Sequence, residues 1–390
     1  MDLVETIESA LRATLGSAPA ALHEPRFVGR EWDYVKECID TGWVSSVGSY
    51  VDRFERDLAA YTGAQHAVVV ANGTVGLQVA LEVSGIGHGD EVLVPALSFI
   101  ATANAVSHCG ATPHFLDSDA QTLGLSVAAL KARLQQVGIR RNEGLFNRDT
   151  GRRIAAIVPM HTFGHPVDMP ALMEVAASCG IEVIEDAAES LGSTLDARHC
   201  GTFGRLGVLS FNGNKIVTTG GGGAILTNDP ELARRAKHLT TTAKQPHRWA
   251  FVHDEVAHNF RMPNLNAALG CAQLEKIEAF VDDKRVLTER YAQAFSGMSG
   301  ATLFREREGV RSNYWLQALI LDRDKAHLRD NILAATNDAG YATRPVWDLL
   351  PDQAFYRSSP CGDLDVARDL ASRIINLPSS SQLVDRSASV

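Results

Sequence analysis

Through the first two-thirds of the chain, short apolar runs alternate with longer segments in which apolar positions return every three or four residues. The runs are His66–Val70, Glu91–Val94, Thr112–Leu116, Ile154–Val158, Ile181–Ile184, Leu206–Phe211 and Gly223–Thr227. Their length and their aliphatic content predict strands, whereas Val75–Val83, Ala101–His108 and Met169–Cys179 have helical length and spacing. Largely apolar strands joined by helices predict a mainly parallel, seven-stranded sheet covered on both faces, an α/β architecture. After Pro246 the pattern changes to longer helices, Asn264–Phe280 and Lys284–Phe295, and then to a few strands, notably Tyr314–Leu321. The expected division is an N-terminal helix in residues 1–22, a large α/β domain in 23–250 and a smaller α+β domain in 251–390. One stretch, Val137–Arg153, breaks the rhythm with Arg140, Arg141, Asn142, Glu143, Asn147, Arg148 and Asp149. It predicts a polar surface excursion, either a solvated hairpin or a flap over substrate.

In sheets of this kind, ligands sit at the carboxyl ends of the strands. Asn72, Pro95, His161, Asp186 and Lys215 all fall just past an expected strand end, so one shared site is predicted.

Composition narrows the partners. At 390 residues the chain exceeds one compact core, which agrees with two domains. The formal net charge of −9 and the scattered lysines and arginines argue against nucleic acid or an anionic membrane. Six cysteines without a CxxC pair predict no metal site and reduced thiols. No apolar run reaches eighteen residues and the first residues lack signal-peptide character, so the expected location is the cytoplasm.

The chemistry concentrates in Val183-Ile184-Glu185-Asp186-Ala187-Ala188-Glu189-Ser190 and in Ser210-Phe211-Asn212-Gly213-Asn214-Lys215. An acid at a strand end and a lysine in a small-residue loop are what pyridoxal 5′-phosphate requires: Lys215 for the Schiff base, Asp186 to keep the pyridine nitrogen protonated. Asn72-Gly73-Thr74 follows a strand and opens a helix, where free N–H groups and the positive helix end favour a phosphate. Ser210 is placed to reach the same phosphate, and Phe99 to stack on the ring if it is not simply core. Glu189, three residues after Asp186, would approach the ring hydroxyl or the substrate, or else merely favour a helix start. A freed Lys215 amine would move the proton that defines transamination. The glycines Gly220 to Gly223 do not stand in a dinucleotide-binding context.

Taken together, these motifs resemble the DegT-type sugar aminotransferases, pyridoxal phosphate enzymes of fold type I, over roughly residues 23 to 385. The likeness runs through Gly48-Ser49, Asn72-Gly73-Thr74, Pro95 to Asn104, Pro159-Met160-His161, Glu185 to Ala188, Ser210 to Lys215, Asn259-Phe260-Arg261-Met262, Tyr314-Trp315 and Asn376-Leu377-Pro378. It implies Lys215 as the cofactor lysine, Asp186 as the pyridine partner, Phe99 as the stacking ring, and Gly73, Thr74 and Ser210 around the phosphate. It implies that Asn259 reaches the phosphate held by a neighbouring subunit, hence an obligate homodimer with shared sites. Glu189 stands where the common pattern has glutamine. Finer likeness, in His161 to Pro166, Glu185 to Ser193, Phe211 to Lys215 and Leu239 to Lys244, is to enzymes of the legionaminic and bacillosamine type. That branch implies L-glutamate as amine donor and, as acceptor, C4 of a UDP- or GDP-linked 2-acetamido-4-keto-2,4,6-trideoxyhexose. His161, His165, Arg344 and Trp347 are the candidate substrate contacts. Related dehydratases carry histidine in place of the lysine, so Lys215 argues against that chemistry. An eight-carbon keto sugar acid as substrate, or a non-catalytic role on the same scaffold, stays open.

Overall fold

The computed structural model describes residues 2–385; Met1 and residues 386–390, the outer ends of the first and third expected segments, lie outside the described residues. In chain order the first eleven strands are β1 (His66–Val70), β2 (Asp90–Pro95), β3 (Thr112–Leu116), β4 (Gly138–Arg141), β5 (Gly144–Asn147), β6 (Arg153–Ile157), β7 (Glu182–Asp186), β8 (Thr194–Leu195), β9 (Arg198–His199), β10 (Leu206–Ser210) and β11 (Gly223–Thr227). All seven expected strands form, and they lie side by side in the order β1-β11-β10-β7-β6-β2-β3. From β10 to β3 every pairing is parallel. Only β11 runs against its neighbours in this row.

Both faces of the sheet are covered, which is why its strands are apolar throughout rather than alternating. Val68, Val70, Val92, Val94, Val208 and Ile225 join one core with the helices Gly73–Val83, Ile100–His108 and Pro230–Thr240. On the other face, Val69, Leu209 and Leu226 meet Ser49–Thr62 and Asn264–Leu274, while Leu93, Ile157 and Val183 meet Val127–Val137 and Met169–Cys179. Met169–Cys179 shows the local signals that set such helices. Asp168 caps its first turn, Pro170 follows at the start, and Gly180 ends it at φ 67°.

Five later strands are β12 (Ala301–Leu303), β13 (Val310–Arg311), β14 (Gln317–Leu321), β15 (Arg344–Pro345) and β16 (Ile374–Leu377). Four of them form a smaller antiparallel sheet ordered β12-β14-β16-β15. Its core takes Leu319, Leu321, Ile375 and Leu377 together with Leu287 and Tyr291 of the helix Ile277–Ala294.

Three expectations shift. The N-terminal helix, Leu3–Leu15, is not a separate unit: Ile7, Leu11 and Leu15 are part of the smaller core. The helix Asn264–Leu274 lies past the expected boundary at residue 250 yet packs on the large domain. Periodicity tells that a helix has an apolar face but not which core receives it. The strand expected at Tyr314–Leu321 begins only at Gln317, because Tyr314 takes φ 45° and leaves the extended conformation.

The excursion at 137–153 is a hairpin, with β4 and β5 antiparallel and Phe146 paired to Arg153 at the start of β6. That is the end of the strands opposite the one where Asp186 and Ser210 lie, so it forms no flap there. Its anchor is Glu91, fully buried, with Asn147 Nδ2 at 2.8 Å, His114 Nδ1 at 2.9 Å and the Thr150 hydroxyl in contact. Burial alone would raise the Glu91 carboxyl, but these bonds outweigh it and hold the group below its ordinary range.

Candidate active site

A cleft of about 840 Å³ opens at the carboxyl ends of β1, β2, β7 and β10, walled on its far side by residues of the smaller sheet. The large domain contributes Asn72, Gly73, Thr74, Phe99, Asp186, Glu189, Ser210 and Lys215. The smaller one contributes Trp315, Asn376 and the segment Arg344 to Asp348, with Leu22 and His23 from the N-terminal stretch. Of the residues singled out in the sequence, Gly73, Thr74, Phe99, Asp186, Glu189, Ser210, Lys215, Arg344 and Trp347 share this cleft. His161, His165 and Asn259 do not line it.

Asp186 ends β7 and is 3% exposed. Thr102 Oγ1 donates to its Oδ2 at 2.6 Å and Ala188 N–H to its Oδ1 at 3.2 Å. Burial pushes its carboxyl above the usual range, against the pull of those bonds and of Lys215. Among the described residues it has no ion-pair partner. A buried carboxylate without a cation is costly, so this group fits a site that receives one.

Lys215 Nζ lies 3.3 Å from Glu189 Oε1 and 3.7 Å from the centre of the Trp315 ring. The loop that carries it is fixed by Trp315 Nε1, which donates to Asn214 O at 2.7 Å. Glu189 also accepts from Phe163 N–H at 2.9 Å. Burial, the largest influence, lifts the Glu189 carboxyl to about 7, with Lys215 pulling the other way. Glutamate here is therefore poised near neutrality, where a glutamine would be uncharged at every pH.

The raised carboxyl has a consequence for stability. The protonated form of Glu189 stabilises the fold fully below about pH 4.5, and that contribution fades as pH climbs to about 7. It amounts to ~3 kcal/mol across the interval. Cofactor-free protein is expected to lose this much between pH 4.5 and 7.5 relative to Glu189→Gln, measured by urea midpoints. Parallel pH curves for the two proteins would show that Glu189 titrates normally.

The candidate phosphate cradle is compact. Asn72 caps the helix Gly73–Val83 through Val75 N–H at 3.0 Å, and a Cβ on Gly73 would come 3.1 Å from Ser210 Cβ. Ser210 and the first turn of that helix thus face one spot. Phe99 is 49% exposed although it follows a fully buried strand, which sets it apart from the core. Its ring and that of Phe163 flank Trp347, with centroids 6.3 and 5.2 Å away.

His161 is fully buried, its Nε2 2.9 Å from Glu185 and its Nδ1 accepting from Val167 N–H at 3.2 Å. Both ring nitrogens are committed to the protein. His165 packs edge-on against Phe304 and Tyr314, and burial lowers it to about 3. Asn259 lies on the surface, where its Oδ1 accepts from Arg261 at 2.9 Å.

Sequence reasoning quoted Trp315 within a motif without giving it a task, and did not single out Asn313. The Asn313 amide donates to Glu189 O at 2.9 Å and Leu191 O at 2.8 Å, while its Oδ1 accepts from Trp315 N–H at 2.8 Å. It ties the Glu189 turn to the ring above Lys215. Gly164 must be glycine for this to close: at φ 93°, a Cβ there would fall 1.9 Å from Asn313 Oδ1. The departure of Tyr314 from the strand conformation was the one local sign, and it is invisible in sequence.

A lysine amine, a buried unpaired carboxylate, a phosphate cradle and an open aromatic face fit pyridoxal phosphate. Lys215 would hold it covalently, Asp186 would pair with its ring nitrogen, and the Gly73–Thr74 turn with Ser210 would take its phosphate. When bound, the cofactor supplies the electron sink. Fold and site together define a fold type I pyridoxal phosphate-dependent transaminase.

Residues 26–389 match the DegT/DnrJ/EryC1/StrS aminotransferase family, and the chain belongs to it. It is 36% identical to GDP-perosamine synthase of Escherichia coli O157:H7 over 364 residues, 93% of each chain. It is 34% identical to the aminotransferase EpsN of Bacillus subtilis, covering 93% of this chain and 92% of EpsN. The aminotransferase TlmJ of Streptoalloteichus hindustanus superposes with a TM-score of 0.84 at 30% identity, covering 93% and 94% of the two chains. The protein is thus an aminotransferase of this family that uses pyridoxal phosphate.

Proposed function

We propose that the enzyme transfers the amine of L-glutamate to C4 of a nucleotide-linked 2-acetamido-4-keto-2,4,6-trideoxyhexose, for bacterial surface-sugar synthesis. The observation that carries transamination is the Lys215 amine held between Glu189 and Trp315 in a cleft that also holds the unpaired Asp186. The sugar assignment rests on the likeness of His161 to Pro166, Glu185 to Ser193 and Leu239 to Lys244 to enzymes of the legionaminic and bacillosamine type. Lys215 takes a proton from the donor's α carbon and later returns one to the sugar carbon that receives nitrogen. Arg344, on the cleft wall, is the cation for an anionic group of either substrate. Six free thiols suit a reducing cytoplasm. Among the described residues no helix is long and apolar enough to cross a membrane.

A second reading follows from the 36% identity to GDP-perosamine synthase, which favours a GDP-linked keto sugar. Both readings are tested by one experiment. The absorbance of the cofactor-loaded enzyme is followed as L-glutamate, then UDP- and GDP-linked keto sugars, are added. Glutamate should shift a band near the visible edge to shorter wavelength, and the true acceptor alone should restore it. No shift with glutamate would sink the donor assignment.

The enzyme is a homodimer in this reading, with Asn259 lent to the neighbouring site. Supporting it are Trp249, Phe251 and Val256, which stand 72%, 81% and 99% exposed within ten residues of Asn259. Large apolar side chains gathered on a surface mark an interface. Sedimentation should give a dimer at micromolar concentration, and Trp249→Glu with Phe251→Glu should raise its dissociation constant at least tenfold and reduce activity with it. A monomeric, fully active wild type would end the shared-site proposal.

A further inference from the structure

His23 lines the cleft but has no task in the reading above. Its backbone neighbours are pinned: Leu22 O accepts from Ser379 N–H at 2.7 Å, and Glu24 N–H donates to Ser380 Oγ at 2.8 Å. Both serines are fully buried beyond the end of β16, so the stretch that bears the imidazole is held from either side. The ring itself is left free. Nδ1 is shut off from solvent without a hydrogen-bond partner, and among the described residues Nε2 has none either. Nε2 is the nitrogen not shut off from solvent, so a ligand in the cleft can bond it while the pinned backbone holds the ring in place.

The surroundings decide what kind of ligand. Burial and the amines of Lys284 and Lys215 hold this histidine well below its usual range, so it is neutral. Lys284 is itself buried and donates to Trp315 O at 3.1 Å and to Ser379 O, so its position is fixed by the same wall. The neutral imidazole itself offers a carboxylate no charge, and Arg344 and the Lys215 amine are the cleft's anion partners. What it can do is donate to, or accept from, an uncharged polar group.

We propose that His23 is a specificity-determining residue that hydrogen-bonds an uncharged oxygen, hydroxyl or keto, of the sugar entering beside Lys215. This rests on the nucleotide-sugar reading of the cleft. It assigns the N-terminal stretch a direct part in substrate selection, and separates the sugar contact from the contacts made by the nucleotide.

The test is a set of calorimetric titrations on the cofactor-loaded dimer. UDP-N-acetylglucosamine and GDP-mannose are each compared with the bare nucleoside diphosphate, for wild type, His23→Phe and His23→Gln. Phenylalanine keeps the shape and removes both nitrogens; glutamine keeps a donor and an acceptor. His23→Phe should weaken the better-bound nucleotide sugar about tenfold while leaving its bare diphosphate within twofold. His23→Gln should recover most of the loss. The glutamate-induced spectral shift should proceed at the wild-type rate in both variants.

Equal losses for sugar and bare nucleotide, or no loss at all, would overturn the proposal, as would a slowed glutamate reaction. Wild type that responds to glutamate but binds neither nucleotide sugar would overturn the nucleotide-sugar reading and this inference with it. Wild type that binds them yet ignores glutamate would count against the donor alone.

Discussion

Replacing Lys215 with alanine is expected to lower turnover by at least about 10⁴-fold, since one amine serves both as the cofactor's anchor and as the proton carrier. The structure gives the change little other effect. Lys215 sits in a loop, its ammonium touches Glu189 and the Trp315 face, and its removal opens no core cavity. Stability should therefore fall by only about 2 kcal/mol, because the buried Glu189 loses a partner but its raised carboxyl can take up a proton instead of standing as an unpaired charge. The near-visible band should be absent, and an added primary amine should restore part of the proton transfer. A variant that retained a tenth of the activity would show that the amine lies outside the chemistry. The same result would reopen the non-catalytic reading of the scaffold.

The second large effect is expected from Asp186→Asn. Asparagine fits the same space and can still accept from Thr102 Oγ1, so the fold should persist. What disappears is the negative charge at a site where burial makes charge count most. Placed charge of this kind is worth about 10² to 10³ in kcat. Single-turnover rates with L-glutamate should fall by that factor, with glutamate KM changed far less, and the cofactor should be lost more readily on dialysis. A drop of less than tenfold would mean that the pyridine nitrogen is not paired here. Thr102→Val offers a milder companion. It leaves the buried carboxylate one bond poorer, raising it further and weakening its hold on a cation.

Much of this site could be found from strand ends alone. Asn72, Asp186 and Ser210 come together because parallel strands put their exits on one side, and that geometry follows from the apolar runs themselves. Histidines 161 and 165 look the same in sequence, since they too follow a strand end. They point inward instead, one onto Glu185 and one into an aromatic box, and only tertiary packing settles such choices. Asn313 and His23 were illegible for the opposite reason. They lie far along the chain from the cofactor motifs and reach the cleft through turns with no periodic pattern. The domain boundary blurred likewise, because the helix Asn264–Leu274 is apolar enough to satisfy either core.

The wall that bears His23 is stitched from two segments more than 350 residues apart, Leu22 to Glu24 on one side and Ser379 to Ser380 on the other. Order of synthesis then becomes order of assembly. The strands that carry Asp186 and Ser210 leave the ribosome about 170 residues before Ser380, and their sheet is complete once β11 has emerged. Residues that select the sugar cannot take their places until about residue 380 has been added. A nascent chain can therefore hold a nearly finished cofactor cradle while it still lacks the means to choose a substrate.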